Sequence, residues 1–218
     1  MDWSDSWHDA FRIELRAEAI GLAWRGWPVL PGTYPAGSRW ADGESADSID
    51  GVDAKGPVPV QRDWRDRIGT KPNQVATWWS GRPYSLLVAT GVVLDAIEVS
   101  AGIGRRTAAV LRSTGIPVPI VATPARRWLF LTESGGQHAA LRPHDDITVH
   151  GADSWVPLPP SPFRQGVAHW RVKPEVCGWR LPKADVVCNA IVRAIDVPSA
   201  IPIAGHADRS PEIERLSA

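Results

Sequence analysis

Cysteine is almost missing from this sequence: Cys177 and Cys188 are the only two, and neither has His or Cys neighbours at metal-ligand spacing. That excludes a disulfide framework and a zinc finger, and it points to a reducing, cytoplasmic setting. An excess of charge of either sign is missing too, since 24 basic and 24 acidic residues cancel to a formal net charge of zero. A protein held to nucleic acid by bulk charge is therefore excluded, although a local basic groove is not. No stretch reaches the ~18 consecutive apolar residues of a membrane span. The acidic opening MDWSDSWHDAF lacks the apolar core of a signal peptide. The sequence contains no internal repeat.

What is present is enough apolar residue, 44% of the 218, to build a core in one good-sized domain or two small ones. Twelve tryptophans are a high count, and 20 Pro with 19 Gly break the chain often. Short apolar runs between such breaks predict a mixed α/β (α+β) fold with long loops, not a helical bundle. Phe11, Leu15, Ala19, Leu22 and Ala23 share one face of a helix over 8–25, with Gly26 as its cap. A short strand at 27–30 is stopped by Pro31-Gly32. The Gly-, Ser- and Asp-rich stretch 33–61 reads as a long loop, a length that is usually functional or unstructured. Further helices are expected over 71–79, 101–113 and 183–195, and a helical turn near Trp64. Strands 116–122 and 127–132 form one hairpin, 146–149 and 154–158 a second, and 167–172 a last strand. The single domain therefore runs 8–195, and 196–218 reads as a mobile tail.

The stretch WWSGRPYSLLVATGVVLDAIEVS, residues 78–100, carries the first sign of chemistry. An apolar run, Leu86 to Leu94, reads as one central strand buried on both faces, with Trp78 and Trp79 packed beneath it. It delivers Asp95 to its end, a common place for a metal ligand. A strand repeats its face every two residues, so the partner position is Ile97, and the next acid, Glu98, comes one residue late.

The order of segments resembles the N-terminal primase–polymerase (Prim-Pol) domain of bifunctional DNA primase/polymerases, in the archaeo-eukaryotic primase superfamily. The resemblance runs over roughly residues 10–195 and rests on RGWPVLPG, RDWRD, NQVATWW, GRPYSLLVATG and DITVHGADSWVPLPPS, in that order. It implies an RRM-like mixed or antiparallel sheet flanked by helices, and a role in DNA replication. It also implies nucleotidyltransferase chemistry in which Mg²⁺ or Mn²⁺ activates the 3′ hydroxyl and steadies the leaving pyrophosphate. Asp95 matches the family's first acid and Asp146 its third, and these two are the expected metal ligands. The second acid's place holds Ile97, and Glu98 could serve only if a bulge at Ala96 turned it inward. The family's hairpin His is matched by Trp128, with Arg126 and Arg127 just before it. The SGGQH segment imitates that His motif, but too few residues separate His138 from Asp146 for a strand, a turn and a return strand.

Two readings stand for each candidate. Asp95 is either a residual ligand or a cap, Asp146 a ligand or a turn residue, and Glu98 a ligand or a solvated acid. Arg105, Arg106, Arg126 and Arg127 either line a phosphate groove or are ordinary surface arginines, and Trp128 is expected with Arg105, Arg126 and Arg127 at the nucleotide- or DNA-binding surface. The resemblance implies nucleotide or single-stranded DNA as ligand, bound weakly because the chain carries no net charge. Active relatives often carry a helicase module, and no Walker A segment is present here. Any such partner is therefore expected to be separately encoded. Three functions follow: a Prim-Pol-like binding protein with weak or lost catalysis, an active two-metal enzyme using Asp95, Glu98 and Asp146, or a partner-binding structural module.

Overall fold

The computed structural model describes residues 3–37, 39–41, 56–68, 71–138, 141 and 144–196. Helix α1 (Trp3–Trp24) buries Leu15, Ala19, Leu22 and Ala23 along one face and is followed by Gly26, whose φ of 77° suits a residue without Cβ. Strand β1 (Val29–Gly32) pairs antiparallel with β4 (Ser85–Ala89), and β4 with β9 (Trp155–Pro157), giving a three-stranded sheet. The second sheet has five strands in the order β12 (His169–Val172), β6 (Ile120–Ala122), β7 (Arg127–Glu133), β5 (Leu94–Ser100) and β8 (Ile147–His150), with every pairing antiparallel. Helix α2 (Pro72–Trp78) packs on α1. Helix α3 (Ala101–Thr114) follows β5 directly, and α4 (Ala184–Asp196) packs beside it.

Strand alternation divides the core in two. Ile97, Val99, Trp128 and Phe130 meet Ile103, Leu111, Val187 and Ile191 from α3 and α4 on one face of the five-stranded sheet. Leu94, Ala96, Leu129 and Leu131 point the other way, into the larger core shared with α1 and the three-stranded sheet. The segment β5–α3–β6–β7 with β8 beside β5 gives the strand order 8-5-7-6 and helices on one face. This is the RRM-like, mixed α+β arrangement that the family resemblance implies.

Three local expectations are corrected. The apolar run Leu86–Leu94 is two strands in different sheets, because Thr90–Val93 turns the chain and leaves Val92 56% exposed, while Val88 is buried. Gly91 permits the turn: its φ is +92°, and a Cβ there would lie 2.4 Å from the Ala152 Cα. The strands β8 and β9 do not pair with each other either, since the turn at Gly151–Ser154 passes the chain from one sheet to the other. Within the expected loop, β2 (Tyr34–Ala36) and β3 (Arg39–Ala41) form a hairpin, anchored by Trp40 edge-on to Phe163 at 6.5 Å. Residue 38 and residues 42–55 of that loop, and the tail 197–218, lie outside the described residues. Trp79 is buried, donating its Nε1–H to the Tyr84 carbonyl at 2.9 Å, whereas Trp78 is only half-buried.

Cys177 and Cys188 are free and buried, and burial, with Asp185 nearby, pushes the Cys188 thiol up to about 11. Among the described residues no helix is long and apolar enough to cross a membrane.

Candidate functional site

Because β5 runs in unbroken register with β7 from Leu94 to Ser100, its side chains alternate without a bulge. Glu98 therefore points away from Asp95 and Ile97, and the expected route for turning it to their side is closed. The open space is on the Glu98 side. A groove of about 690 Å³ lies there, walled by Glu98, Arg127, Asp146, Thr148, His150 and Trp155.

The groove floor is a line of polar contacts across three strands. Glu98 Oε1 accepts the Arg127 Nε–H at 2.5 Å, and Glu98 Oε2 lies 3.0 Å from His150 Nε2. His150 Nδ1 is 3.1 Å from the Ser154 hydroxyl. Arg127 also donates from Nη2 to the Asp146 carbonyl at 3.1 Å, with the Asp146 carboxylate 3.9 Å from Nη1. Burial alone would raise the Glu98 pKa. The hydrogen bonds and charges of His150 and Arg127 outweigh that cost and hold the carboxyl below its ordinary range. Glu98 and Arg127 are each about one-fifth exposed, so their pairing is screened less than a surface bridge.

Asp95 is 2% exposed and sits on the opposite, helix-covered face of the sheet. Its Oδ1 accepts the Gly91 N–H and its Oδ2 the Gly135 N–H, both at 2.9 Å. One carboxylate thus ties the turn before β5 to the turn after β7. Ile97 is fully buried beside it.

Of the other expected residues, Arg127 and Asp146 join Glu98 in the groove, and Asp146 stands half-exposed at its rim. Arg126 is exposed at the β6–β7 turn, with a φ of 60°, and does not line the groove. Trp128 is buried under α3, where a Cβ on Gly104 would come within 2.7 Å of its ring, so it faces away from the groove. Arg105 is exposed on α3, across the sheet from the groove, and Arg106 donates to the Ala194 carbonyl at 2.9 Å, closing the end of α4. His138 belongs to the segment after β7, not to the hairpin.

The sequence reading passed over His150, Thr148 and Trp155. A signal existed: in DITVHG, Thr148 and His150 alternate on the face that pairs with Ala96 and Glu98. It becomes readable only once the groove is known to lie on the even-numbered side of β5.

Comparison with known proteins decides the family. Residues 19–184 match the Prim-Pol family, described as the N-terminal domain of bifunctional DNA primase/polymerases. This chain belongs to that family. No curated protein matches it significantly. Within the Prim-Pol fold, the alternate positions of β5 on the groove side are Ala96 and Glu98, so an acid stands at only one of them. Its two oxygens already have partners in Arg127 and His150.

Proposed function

We propose that this Prim-Pol protein binds nucleotide or single-stranded DNA weakly in the β5–β7–β8 groove and does not efficiently join nucleotides. The observation that supports this most is the opposed direction of Asp95 and Glu98. Two ions sharing bridging carboxylates need acids on one face. Asp95 instead gives both oxygens to backbone amides, and Glu98 gives both of its own to Arg127 and His150. Among the described residues no three His, Cys, Asp or Glu side chains come together to hold a metal ion. Mg²⁺ or Mn²⁺ held by Asp95 with Asp146 therefore does not fit these residues.

What the groove can offer a ligand is different. Thr148, the His150 ring and the rim Asp146 supply hydrogen-bonding groups, Trp155 supplies an aromatic wall, and Arg127 is the cation that lines it. Few cations and no net charge make the binding weak and salt-sensitive, with a slope of about 0.7 per phosphate neutralised. The active enzyme using Asp95, Glu98 and Asp146 would require β5 to shift by one residue. A structural, partner-binding role remains the outcome if no ligand binds. Activity in concert with a separately encoded helicase belongs to the same proposal.

Primer extension with Mg²⁺ and with Mn²⁺, beside polarisation titrations with labelled oligo(dT) and dATP at low and high salt, tests the reading. Weak binding that fades with salt, without extension, supports it. Robust incorporation lost in Asp95→Ala and Glu98→Ala would establish the active enzyme instead. No binding at low salt by folded protein would leave the structural role.

A further inference from the structure

The cationic side chains that line the groove already have partners. Arg127 gives its Nε–H to Glu98 and an Nη2–H to the Asp146 carbonyl. Glu98 is held as the charged carboxylate, so His150 donates its Nε2–H to it at 3.0 Å and turns Nδ1 to the Ser154 hydroxyl at 3.1 Å. Three carboxylates line the same space: Glu98, Asp145 and Asp146. Asp145 and Asp146 are exposed. Among the described residues Asp145 takes part in no ion pair, and the Asp146 carboxylate comes no closer to Arg127 than 3.9 Å. The groove therefore has acceptors to spare and little charge to spare for an anion. One engaged guanidinium beside two open carboxylates opposes a triphosphate more than it attracts one.

The wall beside these acids is aromatic and already fixed. Trp155 donates its Nε1–H to the Pro57 carbonyl at 3.3 Å and meets Trp64 edge-on, with ring centroids 5.6 Å apart. A planar ring stacking on it orders no further side chain. The volume of about 690 Å³ lies in the range that takes a small organic ligand.

We propose that the groove takes the base of its ligand and leaves the phosphates at the mouth, and that Asp145 and Asp146 select guanine. This rests on the nucleotide-binding function proposed above and names what that site reads. The Watson–Crick edge of guanine carries two donors side by side, N1–H and N2–H, and one carboxylate accepts both. Adenine and cytosine bring one amino group each. The N3–H of thymine lies between two carbonyl oxygens, so a carboxylate approaching it meets two like partial charges. Guanine should bind first, adenine and cytosine next and thymine last, with about tenfold or more between the ends.

Calorimetric titrations of the full chain with guanosine, 1-methylguanosine, thymidine, dGTP and inorganic triphosphate test this. Guanosine is expected to bind within about threefold of dGTP, and thymidine about tenfold more weakly, while inorganic triphosphate does not displace dGTP. 1-Methylguanosine keeps the ring but loses the N1–H, and it should fall to the level of thymidine. Replacing both acids, Asp145→Ala with Asp146→Ala, should lower guanosine to that level too, in a protein that melts as the wild type does because both side chains are exposed. Triphosphate that displaces dGTP while guanosine stays inert overturns the proposal and leaves nucleotide binding standing, carried by the phosphates. Guanosine and thymidine that bind equally overturn it, and so does a double variant that keeps the preference for guanosine. No binding of dGTP or of any oligonucleotide by folded protein removes the binding function itself, and this inference with it.

Discussion

Asp95 and Glu98 stand three residues apart on β5 and serve opposite faces of the same sheet. Asp95 holds two turns together through the Gly91 and Gly135 amides at 2.9 Å. Glu98 faces the groove and holds Arg127 and His150. The first is a structural carboxylate by its geometry, and the second carries the electrostatics of the groove. Each assignment makes a different prediction.

Asp95→Ala should cost about 1–3 kcal/mol, because the part-buried Gly91 and Gly135 amides lose their acceptor at once. The loss is read as a lower denaturation midpoint in urea, with ligand binding of the remaining folded protein unchanged. Loss of binding without loss of stability would return Asp95 to the site.

Glu98→Gln should cost about 1–3 kcal/mol, since it removes the charge opposite Arg127 while leaving that guanidinium partly buried. Its sign with pH follows from the lowered pKa of Glu98. The unfolded chain takes up the proton at a higher pH than the folded chain does. The carboxylate's contribution is therefore complete above the ordinary value of 4.5 and is lost as pH falls through the folded one. Thermal melts across the acid range should converge for wild type and variant. A gap that stays constant down to the lowest pH would contradict this.

Ile97→Asp restores an acid at the position suggested by alternate spacing from Asp95, and it should not restore catalysis. Ile97 is fully buried on the α3–α4 side, where an unpaired carboxylate costs about 3–5 kcal/mol. Primer extension should stay at background, and the melt should fall sharply. A stable, active Ile97→Asp protein would show that the catalytic face had been misjudged.

Gly91→Ala should destabilise by about 2 kcal/mol or more, from the strained φ of +92° and the close approach of the Ala152 Cα at 2.4 Å. Gly102, at which a Cβ meets nothing within 4 Å, is the control: Gly102→Ala in α3 should be neutral or slightly stabilising. Urea titrations of the two variants side by side make the comparison.

The sequence alone determined much of the element order. Periodicity placed α1, α2, α3 and α4, and turn residues placed the β6–β7 hairpin, because these signals are local and act within a few residues. It also put Asp95 and Ile97 on one face and Glu98 on the other unless a bulge intervened, and the unbroken β5–β7 register then excluded the bulge. Tertiary structure decided which face is open. The period is the same whichever side is buried, and only the packing of α3 and α4 over Ile97, Val99 and Trp128 puts the groove on the side of Glu98. The break at Gly91 was hidden for a related reason: Val92 and Val93 are as apolar as a strand, and only the nearby Ala152 backbone makes the glycine and its turn necessary. His150 and Arg127 lie 52 and 29 residues from the carboxylate they share, a distance in sequence that only strand pairing closes.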